Sequence, residues 1–202
     1  MSYYKIFRGL ASVVYHLLFR INIVGIENIP DGPCVVCANH KSNFDPPLLA
    51  VCLPVPVRFM AKEELFKNKL FGKILLSFGA FPVKRGKGDV GALRGAIKML
   101  ESGEKVAIFP EGTRSKKEHL KKGKKGAALI AVKAGVNILP VGISGGYRLF
   151  EKMTVTIGKE ISLDEYFDKN ENTDDFQEIT DRKIMPAIAA LAGVKTYEDR
   201  NS

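Results

Sequence analysis

The chain has few cysteines, and they form no pattern that indicates a disulfide-stabilised fold. There are only three, and an odd number completes no disulfide framework. Two of them, Cys34 and Cys37, form a C-x-x-C pair. They fall on a predicted strand, where residues three apart point to opposite faces, so a redox or metal pair is not expected there. We predict small buried core residues and a protein of the reducing cytoplasm.

The sequence also has no apolar run long enough to span a membrane. Its most apolar helical segment is 3–20, and the uncharged part of that segment, 9–19, is shorter than the roughly 20 residues that cross the hydrocarbon core. No small-residue cleavage site follows, so a signal peptide is not predicted.

Segment 3–20 instead predicts an amphipathic helix, because its apolar residues recur close to every 3.6 positions. The stripe is accompanied by Lys5, Arg8 and Arg20 and consists of Ile6, Phe7, Leu10, Val13, Val14, Leu17 and Leu18. Such a helix either lies on an anionic bilayer or covers the domain as an ordinary helix. The accompanying aromatic and basic residues favour the first. We predict an interfacial membrane helix over 1–20 and a single domain over 21–202.

Acidic residues are concentrated in one segment. The formal net charge is +9, but 160–182 contains nine acidic and two basic residues, so that segment carries −7 and the remainder +16. A basic balance favours anionic partners, such as acidic lipid surfaces, phosphorylated substrates, an acidic carrier protein or nucleic acid. The uneven distribution argues against a uniformly basic nucleic-acid coat.

Buried strands alternate with helices along the chain. The segments 34–38, 106–109 and 138–143 are nearly continuous apolar runs, as in strands that are covered on both faces. This alternation predicts an α/β domain with a mostly parallel central sheet flanked by helices. Pro140 lacks a ladder donor, so we expect it at an edge, a bulge or a strand end. A final surface helix is predicted over 173–191.

The stretch 38–45 places a histidine and a carboxylate between a predicted strand and a predicted helix, where open α/β sheets bind ligands. His40 is suited to accept a proton near neutral pH, and Asp45 on its other nitrogen would fix the tautomer. Residues five apart lie about 140° apart around a helix, so only a turn could pair them. Alternatively, Asp45 caps the helix ahead of Pro46, and His40 is structural.

Polar residues also follow two other predicted strands, namely Lys84 and Arg85, and then Glu111, Thr113 and Arg114. Parallel strands bring their carboxyl ends to one edge, so these groups could share a cleft with the histidine. Arginine suits bidentate phosphate contacts. Each cation also fits a solvated surface, and Glu111 fits a salt bridge. The basic run 114–125 fits either a solvated face or a loop over phosphates or headgroups.

Four motifs then occur in order: Asn39-His40-x4-Asp45, Gly79-x-Phe81-x-x-x-Arg85, Phe109-Pro110-Glu111-Gly112-Thr113-Arg114-Ser115 and Leu139-Pro140-Val141. In this combination, residues 24–157 resemble the glycerolipid acyltransferase family, and most closely the bacterial 1-acylglycerol-3-phosphate acyltransferases. The first and third motifs together are highly specific. Pro82 departs from the pattern, since many members have an aromatic or aliphatic residue there.

The resemblance implies transfer of a fatty acyl group from acyl-CoA or acyl carrier protein to the free sn-2 hydroxyl of lysophosphatidate. His40 would be the general base, oriented by Asp45, without a metal or cofactor. The substrate-binding residues implied are Lys84, Arg85, Glu111, Gly112, Thr113 and Arg114. Another lysophospholipid or glycerol 3-phosphate remains an alternative acceptor. The enzyme would lie on the anionic cytoplasmic face of the cell membrane, as a peripheral or monotopic protein.

Two rival functions fit the sequence less well. Metal-dependent hydrolysis needs more ligands, and the only other histidines are His16 and His119. A basic nucleic-acid-binding module would explain the lysines of 116–125 but not the histidine–carboxylate turn. It also needs an aromatic stacking surface, which the chain lacks. We therefore expect no nucleic-acid partner.

Overall fold

A seven-stranded sheet forms the centre of the computed structural model, which describes residues 2–83, 90–115, 119–167 and 173–200. Its order is β1-β7-β6-β2-β5-β3-β4. The strands are β1 (Arg20–Val24), β2 (Val35–Ala38), β3 (Val57–Lys62), β4 (Ala80–Val83), β5 (Lys105–Ile108), β6 (Ile138–Gly145) and β7 (Lys152–Ile157). Strand β7 pairs antiparallel with β6 and parallel with β1, and the other pairs are parallel. The predicted mostly parallel sheet is confirmed.

Helices cover both faces of the sheet. One hydrophobic core lies under α1 (Ser2–Leu18), α2 (Asp45–Cys52) and α3 (Lys69–Ser77). The other lies under α4 (Val90–Glu101), α5 (Gly126–Lys133), α6 (Thr173–Ile179) and α7 (Met185–Ala192). A π-helical turn, Thr180–Ile184, joins α6 to α7. The predicted C-terminal helix is therefore present, but α7 buries Met185, Ile188, Ala189 and Ala192 instead of lying only on the surface.

The two cysteines of the C-x-x-C pair lie in different cores, as strand geometry predicts. Cys34 packs in the core on the α1 side of the sheet, and Cys37 packs in the core on the α4 side. Both side chains are fully buried. Burial raises the pKa of the Cys34 thiol to about 12, so this group stays a neutral core side chain at physiological pH.

Pro140 lies on an interior strand, which the sequence did not indicate. Strand β6 runs between β2 and β7, and Pro140 is in register with Cys37 of β2. The pairing of β6 with β7 begins at Val141, one residue after Pro140. Before Pro140, the same edge of β6 pairs at Ile138, in an isolated bridge with Ile161. The missing N–H thus falls where the β7 ladder is interrupted, and the sheet tolerates it there.

Helix α1 packs one face on the domain and exposes the other. Tyr15 is buried, and so is Phe19, which directly follows the helix. The Arg8 guanidinium donates to the carbonyl oxygens of Ala50 and Val51 at 2.9 and 3.1 Å. These carbonyls lie at the end of α2, where intrahelical donors are lacking and a cation is favoured. Arg8 therefore supports α2, whereas the sequence suggested that it flanks a membrane-facing stripe.

The predicted apolar stripe forms the outward face of α1. Six of its seven side chains are between 37% and 68% exposed, namely Ile6, Leu10, Val13, Val14, Leu17 and Leu18, and we call them the outer α1 face. The seventh, Phe7, packs its ring against Phe78. No helix in the described ranges is long and apolar enough to cross a membrane.

Candidate active site

The predicted histidine–carboxylate pair is formed at the carboxyl end of β2. His40 Nδ1 lies 2.8 Å from Asp45 Oδ2, and the Asp45 side chain is fully buried. The His40 side chain is 15% exposed, so the ring reaches the surface of the protein. Within the part of the chain that the structure describes, no residue forms a hydrogen bond with its other ring nitrogen, Nε2. A carboxylate on Nδ1 favours the tautomer with the proton there, and this leaves the Nε2 lone pair available as a base.

A tight turn brings the two residues together, as their spacing requires. The Asp45 N–H donates to the Ser42 carbonyl, and Asp45 Oδ2 accepts the N–H groups of Lys41 and Ser42 at 2.6 and 2.7 Å. Helix α2 begins at Asp45 without a side-chain cap. The alternative in which Asp45 only caps this helix is therefore wrong, because its carboxylate binds donors that precede the helix.

The motif after β5 holds His40 in place. The Phe109 ring stacks on the imidazole with ring centroids 4.2 Å apart. Glu111 Oε1 accepts the His40 N–H at 2.9 Å, and the Ser115 N–H donates to the His40 carbonyl at 2.7 Å. Strands β2 and β5 are neighbours, so these two motifs meet at one edge of the sheet. Residues 109–115 thus fix both the ring and the backbone of the histidine.

The Glu111 carboxylate is buried and has a backbone donor on each oxygen. Its second oxygen, Oε2, accepts the Lys121 N–H at 2.9 Å. Burial raises the pKa of the Glu111 carboxyl, and the two N–H donors oppose that shift. These contacts tie the basic run to the histidine loop. A substrate contact by Glu111 stays a prediction.

The other predicted binding residues are divided between a described and an undescribed segment. Gly112 has a φ of 68°, which favours glycine, and closes the turn with its N–H on the Phe109 carbonyl. Thr113 and Arg114 follow it on the surface, where the Lys121 ammonium donates to the Thr113 hydroxyl and the Arg114 carbonyl. Lys84 and Arg85 lie outside the described residues.

Two residues that support the site were not predicted from the sequence. Asn39 is buried and exchanges two hydrogen bonds with the backbone of Ile143, at 2.9 and 2.7 Å, which joins the end of β2 to β6. The Tyr147 hydroxyl donates to Asp45 Oδ1 at 2.5 Å. Asn39 belongs to the Asn39-His40-x4-Asp45 motif, so the sequence did contain a signal that it lies at the site. Tyr147 gave none, because only the order of the strands brings it to Asp45.

The comparisons with known proteins agree with this architecture. A family model described as "Acyltransferase" matches residues 20–144, which include the strand ends that carry His40, Asp45 and the 109–115 motif. The chain belongs to the acyltransferase family. The resemblance drawn from the motifs is therefore confirmed at the level of the family.

Named relatives of this acyltransferase come from bacteria and plants. It is 34% identical over 165 residues to a 1-acyl-sn-glycerol-3-phosphate acyltransferase of Bacillus subtilis, covering 78% of this chain and 82% of the relative. It is 36% identical over 139 residues to a chloroplastic enzyme of the same name from Arabidopsis thaliana. That match covers 67% of this chain and 39% of the relative, so the chain spans well under half of that plant protein.

A solved structure has the same fold. The crystal structure of the 1-acyl-sn-glycerophosphate acyltransferase PlsC from Thermotoga maritima superposes with a TM-score of 0.73 and 27% sequence identity. The match covers 93% of this chain and 79% of that one. The predicted fold class, a single α/β domain with an N-terminal helix, is confirmed.

Proposed function

We propose that this acyltransferase transfers a fatty acyl group from a thioester to the sn-2 hydroxyl of lysophosphatidate, which yields phosphatidate. The donor is acyl-CoA or acyl carrier protein. One observation carries the proposal: a buried carboxylate holds Nδ1 of a partly exposed histidine at 2.8 Å in a member of this family. The printed names of the bacterial and plant relatives support the choice of acceptor.

The pair performs general-base catalysis on the acceptor. His40 Nε2 takes the proton from the hydroxyl as the hydroxyl oxygen attacks the thioester carbonyl carbon. The tetrahedral intermediate collapses, the carbon–sulfur bond breaks, and the imidazolium returns the proton to the leaving thiolate. Asp45 stabilises the imidazolium between the two proton transfers. No covalent acyl-enzyme forms on this route, so Ser42 is not a nucleophile.

The acceptor phosphate is bound by the arginines that follow two of the strands. Arg114 is exposed and lies one residue before Ser115, whose N–H binds the His40 carbonyl. Arg114 is therefore carried by the same loop that fixes the base. Arginine suits this task because it binds phosphate through two parallel donors. Arg85 and Lys84 would complete the phosphate site from the end of β4.

The test of this proposal is a matrix of donors and acceptors. Wild-type protein is assayed with acyl-CoA and with acyl carrier protein, each against lysophosphatidate, glycerol 3-phosphate and phosphate-free monoacylglycerol. We expect lysophosphatidate to be the preferred acceptor. For Arg114→Ala we expect kcat/KM with lysophosphatidate to fall about 10–100-fold, because a charged hydrogen bond contributes about 1.5–3 kcal/mol. Turnover of monoacylglycerol should change little.

The matched control is Arg182→Ala. The Arg182 side chain is 79% exposed, and its ion-pair partner among the described residues is Glu178, one turn earlier. Equal losses on lysophosphatidate and monoacylglycerol would remove Arg114 from the phosphate site. No turnover of any acceptor by the wild type would refute the proposed function.

We further propose that the outer α1 face docks this enzyme on the anionic cytoplasmic face of the cell membrane as a peripheral or monotopic protein. Lys5 and Arg20 are exposed at its two ends. The loop between β6 and β7 adds Leu149 and Phe150, which are 67% and 65% exposed. The Phe150 N–H donates to the Leu18 carbonyl at 2.7 Å, so this loop continues the apolar surface beyond α1. A contiguous apolar face rimmed by cations suits an anionic interface.

The structure indicates how to test docking without damaging the fold. Deleting α1 would also remove the buried Tyr15, whereas replacing exposed side chains would not. We expect the triple variant Leu10→Ser, Val14→Ser and Leu17→Ser to bind anionic vesicles at least about tenfold more weakly, since each buried side chain contributes about 1.5–3 kcal/mol. Vesicle co-sedimentation measures this.

The control carries three serine substitutions at exposed apolar residues outside α1, Val24, Ile26 and Val90. Its vesicle binding should match that of the wild type. Unchanged binding of the α1 variant would assign membrane attachment to another surface. Activity on detergent-dispersed acceptor should survive in both variants, because neither changes the His40–Asp45 site.

A further inference from the structure

Tyr147 contacts Asp45 from outside the catalytic turn. Its hydroxyl donates to Oδ1, whereas Oδ2 accepts from His40 Nδ1 and from the N–H groups of Lys41 and Ser42. The two carboxylate oxygens therefore have separate partners. Rotation of an aspartate carboxylate about its last bond has only a broad intrinsic preference, so its hydrogen bonds must set the angle. The Tyr147 hydroxyl is the donor that fixes the oxygen facing away from the histidine.

We infer that Tyr147 is a positioning residue for acyl transfer, whose hydroxyl holds the Asp45 carboxylate so that Oδ2 faces His40 Nδ1. This inference rests on the proposed function above. Without the hydroxyl, the described residues offer Oδ1 no other donor, and a buried carboxylate oxygen without a donor is unfavourable. The carboxylate would then be held only through Oδ2, and its hydrogen bond with His40 Nδ1 would no longer have a fixed angle.

Packing holds the Tyr147 ring in the place that this role requires. The ring contacts Phe19 edge-on at a centroid distance of 5.6 Å and lies 5.6 Å from the ring of Phe44, the residue before Asp45. The Lys41 ammonium also donates to the carbonyl of Gly145, two residues before Tyr147. The end of β6 and the catalytic turn are thus joined at three points, and the hydroxyl has little freedom to leave Asp45.

The hydroxyl stays protonated and donates to Asp45. Burial raises the pKa of Tyr147 far above its ordinary value, and the negative charge of Asp45 raises it further. The phenol therefore keeps its proton at any pH at which the enzyme works, and Tyr147 is not itself the base. Its effect on the reaction passes through Asp45 and His40.

The test removes one oxygen atom, the Tyr147 hydroxyl. Tyr147→Phe keeps the ring against Phe19 and Phe44 and removes only the donor to Asp45. The matched control is Tyr15→Phe, because the buried Tyr15 hydroxyl donates at 2.8 Å to the Phe44 carbonyl in the same turn and not to the carboxylate. For Tyr147→Phe we expect kcat to fall about tenfold and both KM values to stay within about twofold. Tyr15→Phe should keep kcat within about twofold of the wild type.

A second readout needs no substrate. The hydrogen-bonded Nδ1 proton of His40 gives a resonance in the proton NMR spectrum in water. This resonance is assigned by its absence from the spectrum of His40→Ala. We expect this resonance to shift or disappear in Tyr147→Phe and to persist in Tyr15→Phe. If the wild type acylated no lysophospholipid, the proposed function would fail while this readout still tested Tyr147.

Two results would overturn the inference. An unchanged resonance and an unchanged kcat in folded Tyr147→Phe would show that the hydroxyl does not position the carboxylate. A raised KM for lysophosphatidate at unchanged kcat would instead assign Tyr147 to substrate binding.

Discussion

The His40→Ala variant is expected to fold and to transfer acyl groups about 10²–10⁴ times more slowly than the wild type, the range that general-base help typically contributes. The fold should survive because the bonds to Glu111 and Ser115 use the backbone of residue 40 and not its ring. Steady-state turnover at saturating donor and lysophosphatidate gives the loss, and thermal unfolding gives the stability. His16→Ala is the control, since the exposed His16 ring forms its hydrogen bonds, among the described residues, with Ser12 of its own helix.

Asp45→Asn is expected to lose on the order of 10²-fold in kcat, because a neutral amide no longer stabilises the imidazolium. In this structure, the substitution can remove the charge while every hydrogen bond of the side chain is kept. The amide oxygen can replace Oδ2 and accept from His40, Lys41 and Ser42. The amide NH₂ then replaces Oδ1 and donates to the Tyr147 oxygen, which can accept as well as donate. Geometry is kept, and the charge alone is removed.

The same measurements decide whether charge matters at Asp45. The unfolding temperature of Asp45→Asn should lie close to that of the wild type, whereas Asp45→Ala, which leaves the partly buried N–H groups of Lys41 and Ser42 without their acceptor, should be less stable. Turnover of Asp45→Asn within threefold of the wild type would show that orientation alone is enough. The carboxylate would then have no electrostatic role.

The strand, turn and helix around His40 could be predicted from the sequence because their signals are local. An apolar run followed by polar residues and Pro46 specifies a strand, a turn and a helix start within 20 positions. The chemistry of a histidine and a carboxylate then required the turn to pair them. The observed bonds from Lys41 and Ser42 to Asp45 are how the turn meets that requirement.

The remaining contacts of the site depend on the order of the strands, which no local pattern encodes. Strand β2 lies between β6 and β5, so Tyr147 and Phe109 reach the pair from opposite sides. Strand β7 alternates buried and at least partly exposed residues, and the sequence analysis still did not predict it. The prediction for Pro140 was wrong for a related reason. An interior strand can hold this proline only because β7 stops pairing with β6 there, and the sequence does not show where that pairing stops.

Helix α1 connects the proposed membrane surface to the catalytic turn. Its inward face places the Tyr15 hydroxyl on the Phe44 carbonyl, and Phe19 just beyond it contacts Tyr147. The outer α1 face points away from the domain on the same helix. If the outer α1 face docks on lipid as proposed, a bilayer-resident acceptor would enter beside the same helix that supports the catalytic turn.

Single-turnover release of thiol tests most directly whether His40 activates the acceptor for direct attack. Enzyme in excess over acyl thioester is mixed first without and then with saturating lysophosphatidate. We predict no thiol before the acceptor is added, rapid release of one equivalent afterwards, and release about 10²–10⁴ times slower in His40→Ala. An equivalent of thiol released before the acceptor arrives, or a rate in folded His40→Ala near that of the wild type, would contradict the mechanism.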